Sequence, residues 1–169
     1  MDRDNEFLKD CISTSLIILM QEKHFDDISI TEITQKAGVS RMSYYRNFIQ
    51  KEDILDQHMQ SLFTEYMNQR HKYGEDAYSR FLVGYEFFKE NKDFIIALEK
   101  SNLSGIALNK LNEFMKDYYV DDLNNTTHVY KFYNYFGAMY NSAKMWILNG
   151  LNESPEELAK IFVDTFSIK

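Results

Sequence analysis

SITEITQKAGVSRMSYYRNF, running from Ser29 to Phe48, is the stretch on which the reading of the fold turns. It opens with Ser29-Ile-Thr-Glu32, the spacing at which a Ser accepts from the third helical amide while the Glu reaches back to the cap. Ile28 and Ile33 stand where a hydrophobic staple closes such a start. The spacing predicts a helix of about two turns, with Ile33 and Ala37 on one face, stopped at Gly38, which can take the positive φ of a sharp helix end. Ser40 then caps a second helix, Arg41 to about Asn47, on which Tyr44 and Phe48 share a side. Two short helices joined by a turn with a glycine make a helix-turn-helix.

The second helix has two unlike faces. Tyr44 and Phe48, with Val39 from the turn, are fit to pack inward; Arg41, Met42 and Tyr45 share the opposite side, flanked by Ser43, Arg46 and Asn47. An Arg can grip guanine with two hydrogen bonds, an Asn can do the same to adenine, and hydroxyls bond bases or phosphates. From Ile33 to Lys51 the cations are Lys36, Arg41, Arg46 and Lys51, with no Asp or Glu among them; acids resume at Glu52 and Asp53. A carboxylate-free window of this kind is what a phosphate-facing surface requires.

Ala37-Gly-Val-Ser-Arg-x-Ser-x-Tyr-x-x-Phe48, followed by Lys51-Glu-Asp-Ile-Leu55, resembles the DNA-binding segment of the TetR/AcrR family of bacterial repressors. The likeness extends upstream through an amphipathic first helix to Phe25. Carried over by position, it implies DNA contacts at Thr31, Lys36, Arg41, Met42, Ser43, Tyr45, Arg46, Asn47 and Lys51, with Ser40 at the cap. The sequence departs from the family at Met42, often a small residue or Pro, at Asn47, often His, and at His24, often Gly. Met42 suits a thymine methyl or a sugar, so base preference does not transfer from relatives.

Composition frames the rest. Hydrophobic residues make up 44% of the 169 and aromatics 15%, enough for a packed core; one Pro and six Gly argue against the many turns of an all-β chain. The net charge of −7 runs against nucleic-acid binding by the chain as a whole and implies weak non-specific affinity, with contacts confined to one helix and its neighbours. The one cysteine, Cys11, permits no intrachain disulfide, suits a reducing cytoplasm, and is expected buried among Leu8, Ile12 and Leu16. The start MDRDNEFLKD lacks the layout of a signal peptide, and the longest apolar run, Leu16–Met20, is too short to span a membrane. The four histidines lie far apart in sequence, no phosphate loop or nucleophile elbow is present, and neither enzymatic activity, metal nor cofactor is expected.

Outward from the central stretch, Glu6–Lys23 reads as an amphipathic first helix, and Phe25 and Ile28 fill the gap before the capping box. A long helix begins near Lys51, carrying Ile54, Leu55, Met59, Leu62, Phe63 and Tyr66, and Asn68–Glu75 reads as a loop. Apolar stripes then predict helices from Asp76, around Phe94–Leu98, from Ile106 to about Val120, and from Thr127 or His128 to Asn149, with a polar turn at Asp121–Thr127. Ser154-Pro-Glu-Glu157 starts the last helix with a cap, a Pro at its first position and a capping-box Glu. The expectation is an all-α, TetR-like chain of about nine helices: a three-helix DNA-binding head over residues 1–50 and an effector-binding and dimerisation body over 51–169.

The resemblance also implies a homodimer, in which the last two helices of each copy form a four-helix bundle. The interface residues expected are Phe132, Phe136, Met139, Ala143, Trp146 and Ile147 on one helix and Leu158, Ile161, Phe162 and Phe166 on the other. It implies a small-molecule pocket among the middle helices, whose candidate lining is Phe81, Tyr85 and Phe88, then Leu98, then Phe114, Met115 and Tyr118, and last Tyr133 and Tyr140. Twelve Tyr and thirteen Phe suit a flat, apolar or cationic effector, and no buried acid or Arg stands out to fix its charge. The function expected is a repressor that binds a palindromic double-stranded operator and is released by a small effector. The alternative is a regulator working mainly through a protein partner, of coactivator type, with weak or no DNA binding of its own.

Overall fold

The computed structural model of the chain describes residues 2–70, 74, 76–119 and 125–166, with the side chains of 2, 3 and 117–119 outside that description. Among the described residues the regular structure is entirely helical. α1 (Asp2–Glu22) leads through a 3-10 turn (Phe25–Asp27) to α2 (Ile30–Ala37) and α3 (Arg41–Tyr45). α4 (Lys51–Arg70) leads on to α5 (Ala77–Glu90), α6 (Lys92–Lys100), α7 (Ser104–Tyr119), α8 (Thr126–Leu148) and α9 (Pro155–Phe166). The all-α expectation is met. α4 runs three residues into the stretch expected to be a loop, whereas Asp121–Asn124 of the expected polar turn lie outside the described residues.

Local chemistry explains most of the helix boundaries. At α2 the Ser29 hydroxyl accepts from the Glu32 amide at 3.3 Å and the Glu32 carboxylate accepts from the Ser29 amide at 2.9 Å, so both halves of the capping box are made. Ile28 and Ile33 of the staple are buried. Gly38 ends the helix with φ +68°, where a side chain would be strained. The same box recurs at α9, between Ser154 and Glu157. Each cap is worth about 1 kcal/mol.

α3 is shorter than its sequence predicts, stopping at Tyr45. The Asn47 side-chain amide donates to the Ser43 carbonyl at 3.0 Å, taking the acceptor that the Asn47 backbone N–H would use in a continued helix; that N–H turns to Tyr44 instead. Asp53 then starts α4: its carboxylate accepts from the amides of Gln50 and Ile49, which hold it below the usual carboxylate range.

Two cores organise the chain. The first joins Ile12, Leu16 and Met20 of α1, Ile33 of α2, Tyr44 of α3, Phe48, and Ile54 and Leu55 of α4, and it is completed by Phe94, Ala97 and Leu98 of α6. The head's core is therefore closed by a helix from beyond residue 50, and the first turn of α4 belongs to it. The second core packs Tyr85 and Phe88 of α5 against Met139, Tyr140, Ala143, Trp146 and Ile147 of α8 and Ala159 and Phe162 of α9. A smaller cluster of Phe63, Tyr66, Val83, Met115 and Phe132 lies between them. Cys11, expected buried, is only half-buried. Among the described residues no helix is long and apolar enough to cross a membrane.

Candidate nucleic-acid interface and effector cavity

Capping and packing together aim the outer face of α3. Ser40 caps the helix, its hydroxyl accepting from the Ser43 amide at 3.0 Å and sharing a proton with the Ser43 hydroxyl at 2.9 Å. Tyr44 is driven fully inside against Phe48, with ring centroids 5.6 Å apart. Helical geometry then leaves Met42 and Tyr45 outside, 67% and 58% exposed, beside Arg41 and Arg46. Arg41 donates to the Thr31 hydroxyl, which ties α3 to α2 across the turn, and an Arg46 guanidinium nitrogen lies 3.8 Å from the Met42 sulfur.

The other candidates differ in how free they are. Lys36 is exposed and pairs loosely with Glu22 at 3.5 Å. Asn47 is half-buried, donating to Ser43 and accepting through its backbone carbonyl from Gln57 at 3.1 Å. Lys51 points inward: its ammonium donates to the carbonyls of Phe25, Asp26 and Ile28 at 2.6, 3.1 and 3.1 Å and lies 4.5 Å from the centre of the Phe25 ring. All three of its protons are thus engaged with the turn between α1 and α2. Ile49, which the sequence reading passed over, is 86% exposed directly after α3. Its signal was visible in hindsight as an aliphatic residue in a polar window with no helical stripe to join.

In the body, α4, α5, α6, α7 and α8 enclose a cavity of about 70 Å³. Of the candidate lining, Phe88, Leu98, Phe114, Met115 and Tyr140 face it. Phe81 and Tyr133 do not, and the Tyr85 hydroxyl is engaged with Ser142 at 2.7 Å. The Tyr118 side chain is outside the described residues. The sequence reading missed the contribution of α4, namely Met59, Leu62, Phe63 and Tyr66, and that of Phe87, Phe94 and Met139. Among the described residues no ionisable acid or base lines this cavity apart from tyrosines. Gly84 shapes it, since a Cβ there would come within 2.8 Å of the Met139 sulfur.

The expected dimer residues differ in where the single chain places them. Phe132, Met139, Ala143, Trp146, Ile147 and Phe162 are buried within the single chain, where α5 packs against α8 and α9, and cannot form its outer surface. Phe136 and Leu158 are half-buried, and only Ile161 and Phe166 of the expected set are exposed. What α8 turns outward instead is Tyr130, Tyr133, Met145 and Leu148, with no neighbour within 4 Å of a Cβ built at Gly137.

Residues 75–167, more than half of the chain, match the TetR-type family described as "Transcriptional regulator C-terminal region". Among curated proteins none matches. Solved structures share the fold. A putative TetR-family transcriptional regulator from Syntrophomonas wolfei aligns with a TM-score of 0.71 at 18% identity, over 98% of this chain and 94% of its own. A TetR transcriptional regulator from Streptococcus agalactiae aligns at 0.65 and 20%, over 99% and 97%. The dihydroxyacetone kinase operon activator DhaS aligns at 0.62 and 18%, over 94% and 93%. With a capped helix-turn-helix at one end, an all-helical body around a cavity, and a C-terminal region that matches the family along its length, the chain belongs to the TetR family of transcriptional regulators.

Proposed function

We propose that the protein is a ligand-responsive repressor that binds a palindromic operator as a homodimer and is released by a small molecule. One observation carries the reading: Arg41, Met42, Tyr45 and Arg46 stand together on the outer face of a helix whose inner face is locked by Tyr44 and Phe48, in a window free of carboxylates from Ile33 to Lys51. Arg41 and Arg46 supply base or phosphate contacts, Tyr45, Ser43 and Lys36 phosphate contacts, and Met42 an apolar contact to a thymine methyl. Lys51 acts by holding the turn that leads into α2, the helix that carries Thr31, and Asn47 by ending α3.

The division of labour is a reading head over residues 1–50 and an effector and dimerisation body over 51–169. Dimerisation through the outward face of α8 and α9 sets two α3 helices about 34–36 Å apart, in successive major grooves. α6 connects effector to head, because Phe94 and Leu98 line the cavity and also complete the head's core. Lys100 of α6 further donates to the Gln21 carbonyl of α1 at 2.8 Å. An occupant that displaces α6 must therefore shift the head. The DhaS name shows that a protein of this fold can serve as an activator; repression is favoured here because a compact dimer can act by occupying a promoter.

The test is binding of purified protein to the DNA upstream of its own gene, at two salt concentrations and beside Arg41→Ala. Three outward cations per chain, Lys36, Arg41 and Arg46, in two copies, predict a slope of log K against log salt of about −5. Salt-sensitive binding that the variant loses supports the reading. A folded dimer that binds neither this DNA nor sequences selected from a random pool would point to action through a protein partner.

A further inference from the structure

A second cavity, of about 300 Å³, opens between α5 and α8, with Tyr66 of α4 also lining it. Its walls are aromatic, formed by Phe81, Phe132, Tyr135 and Phe136, and basic side chains also line it: Arg80 from α5, and His128 and Lys131 from α8. Among the described residues no Asp or Glu lines it, in a chain whose net charge is −7. Among the described residues neither Arg80 nor Lys131 makes an ion pair or a side-chain hydrogen bond. Neither Arg80 nor Lys131 stood out in the sequence, because an isolated Arg or Lys on a helix looks like ordinary surface charge.

This cavity is not separate from the inner one. Tyr66, Phe136 and Met139 line both, so a single layer of side chains divides them. Met139 is the adaptable member of that layer, with an unbranched side chain, and Gly84 gives its sulfur room. Among the described residues the inner cavity has no group to compensate a charge, and burying an ionised head there would be prohibitive. The outer one offers a guanidinium, suited to gripping a carboxylate through two hydrogen bonds, and a second cation beside it. The apolar and the charged requirements are thus met at opposite ends of one path.

We propose that the two cavities form one site for an amphiphilic monocarboxylate, its head held by Arg80 and Lys131 and its apolar chain passing between Tyr66, Phe136 and Met139 into the inner cavity. The proposal rests on the effector reading above and assigns the chemistry of the effector.

The test uses the full chain and two probes with the same tail, decanoate and decanol, each titrated calorimetrically below its aggregation threshold. Arg80 and Lys131 are exposed, so the double variant Arg80→Gln/Lys131→Gln should fold as the native chain does, and circular dichroism checks that it has. Decanoate should bind more tightly than decanol, and the double variant should weaken decanoate by at least about ten-fold while leaving decanol unchanged. Equal affinity for the two probes, or decanoate binding indifferent to the double variant, overturns the carboxylate site while leaving an apolar effector cavity standing. Binding of neither probe overturns both.

Discussion

Tyr44 and Tyr45 are adjacent in sequence and in space, their ring centroids 5.2 Å apart and their planes at 86°, yet one is fully buried and the other 58% exposed. Among the described residues the buried Tyr44 hydroxyl has no hydrogen-bond partner, and burial pushes its pKa up to about 12. Removing an unpaired buried hydroxyl relieves a desolvation cost, so Tyr44→Phe should leave the head as stable or more stable, by up to about 1 kcal/mol. Its DNA affinity should be unchanged. Tyr45→Phe should do the opposite, keeping stability and weakening operator binding. Urea midpoints and DNA titrations on the two variants separate these outcomes, and a Tyr44→Phe protein that unfolds more easily would show that the hydroxyl has a partner.

Lys51 gives a second contrast. A DNA-contacting lysine on the surface can be replaced at little cost in stability, whereas this one donates to three carbonyls 23 to 26 residues earlier in the chain. Lys51→Met should lower stability by about 2 kcal/mol, the scale of losing a charged donor from partly buried acceptors. It should also shallow the salt dependence of DNA binding less than Arg46→Ala does. A variant of unchanged melting temperature whose salt slope falls by about 1 per chain would instead make Lys51 a phosphate contact.

These two cases mark where the sequence could be read and where it could not. The capping boxes at Ser29 and Ser154, the positive φ at Gly38 and the opposite facing of Tyr44 and Tyr45 are set by groups within four residues of one another, so spacing alone reveals them. The partners of Lys51 are not local, and no spacing rule connects it to Phe25. The stripe on α8 is ambiguous for a related reason. Phe132, Met139, Ala143 and Trp146 follow helical periodicity faithfully, but periodicity shows only that a face is covered, not whether α5 of the same chain or a second chain covers it. The cavity was half legible in the same way. Its α5 to α8 aromatics stood out, while Met59, Leu62 and Phe63 of α4 looked like the ordinary stripe of a connecting helix.

Glu32 makes the capping box sensitive to acid. Its carboxylate accepts from Lys23 at 2.5 Å, from the Ser29 amide at 2.9 Å and from the Ser29 hydroxyl at 2.8 Å, and these contacts, Lys23 foremost, lower its pKa from 4.5 to about 2. With the folded value below the unfolded one, the unfolded chain binds more protons between these two pH values. The contribution is therefore present above about pH 4.5 and is lost as pH falls toward 2. Native protein and Glu32→Gln should differ in stability at neutral pH and converge near pH 2. Other caps titrate in both proteins, so the difference between the two denaturation curves isolates Glu32, and a gap that stays constant across this range would mean that the ionised carboxylate adds nothing.

The outward and inward faces of α8 and α9 predict two different failures. Met145 is 65% and Leu148 47% exposed, on the side of α8 that none of the described residues covers. Placing charge there with Met145→Glu/Leu148→Glu should leave the helical signal and the inner core intact. It should convert the proposed dimer to monomers in sedimentation equilibrium and abolish cooperative occupancy of a two-half-site operator, since one head alone spans one major groove. Phe162 faces the other way, its ring 4.2 Å from Phe81 and 4.7 Å from Phe166, and is buried. Phe162→Ala should cost about 3–5 kcal/mol of folding stability by opening a cavity, with any loss of dimer following unfolding rather than preceding it. If instead the charged double variant sediments as a dimer while Phe162→Ala yields folded monomers, α9 must swing away from α5 in the assembled protein and the packing of the single chain is not that of the dimer.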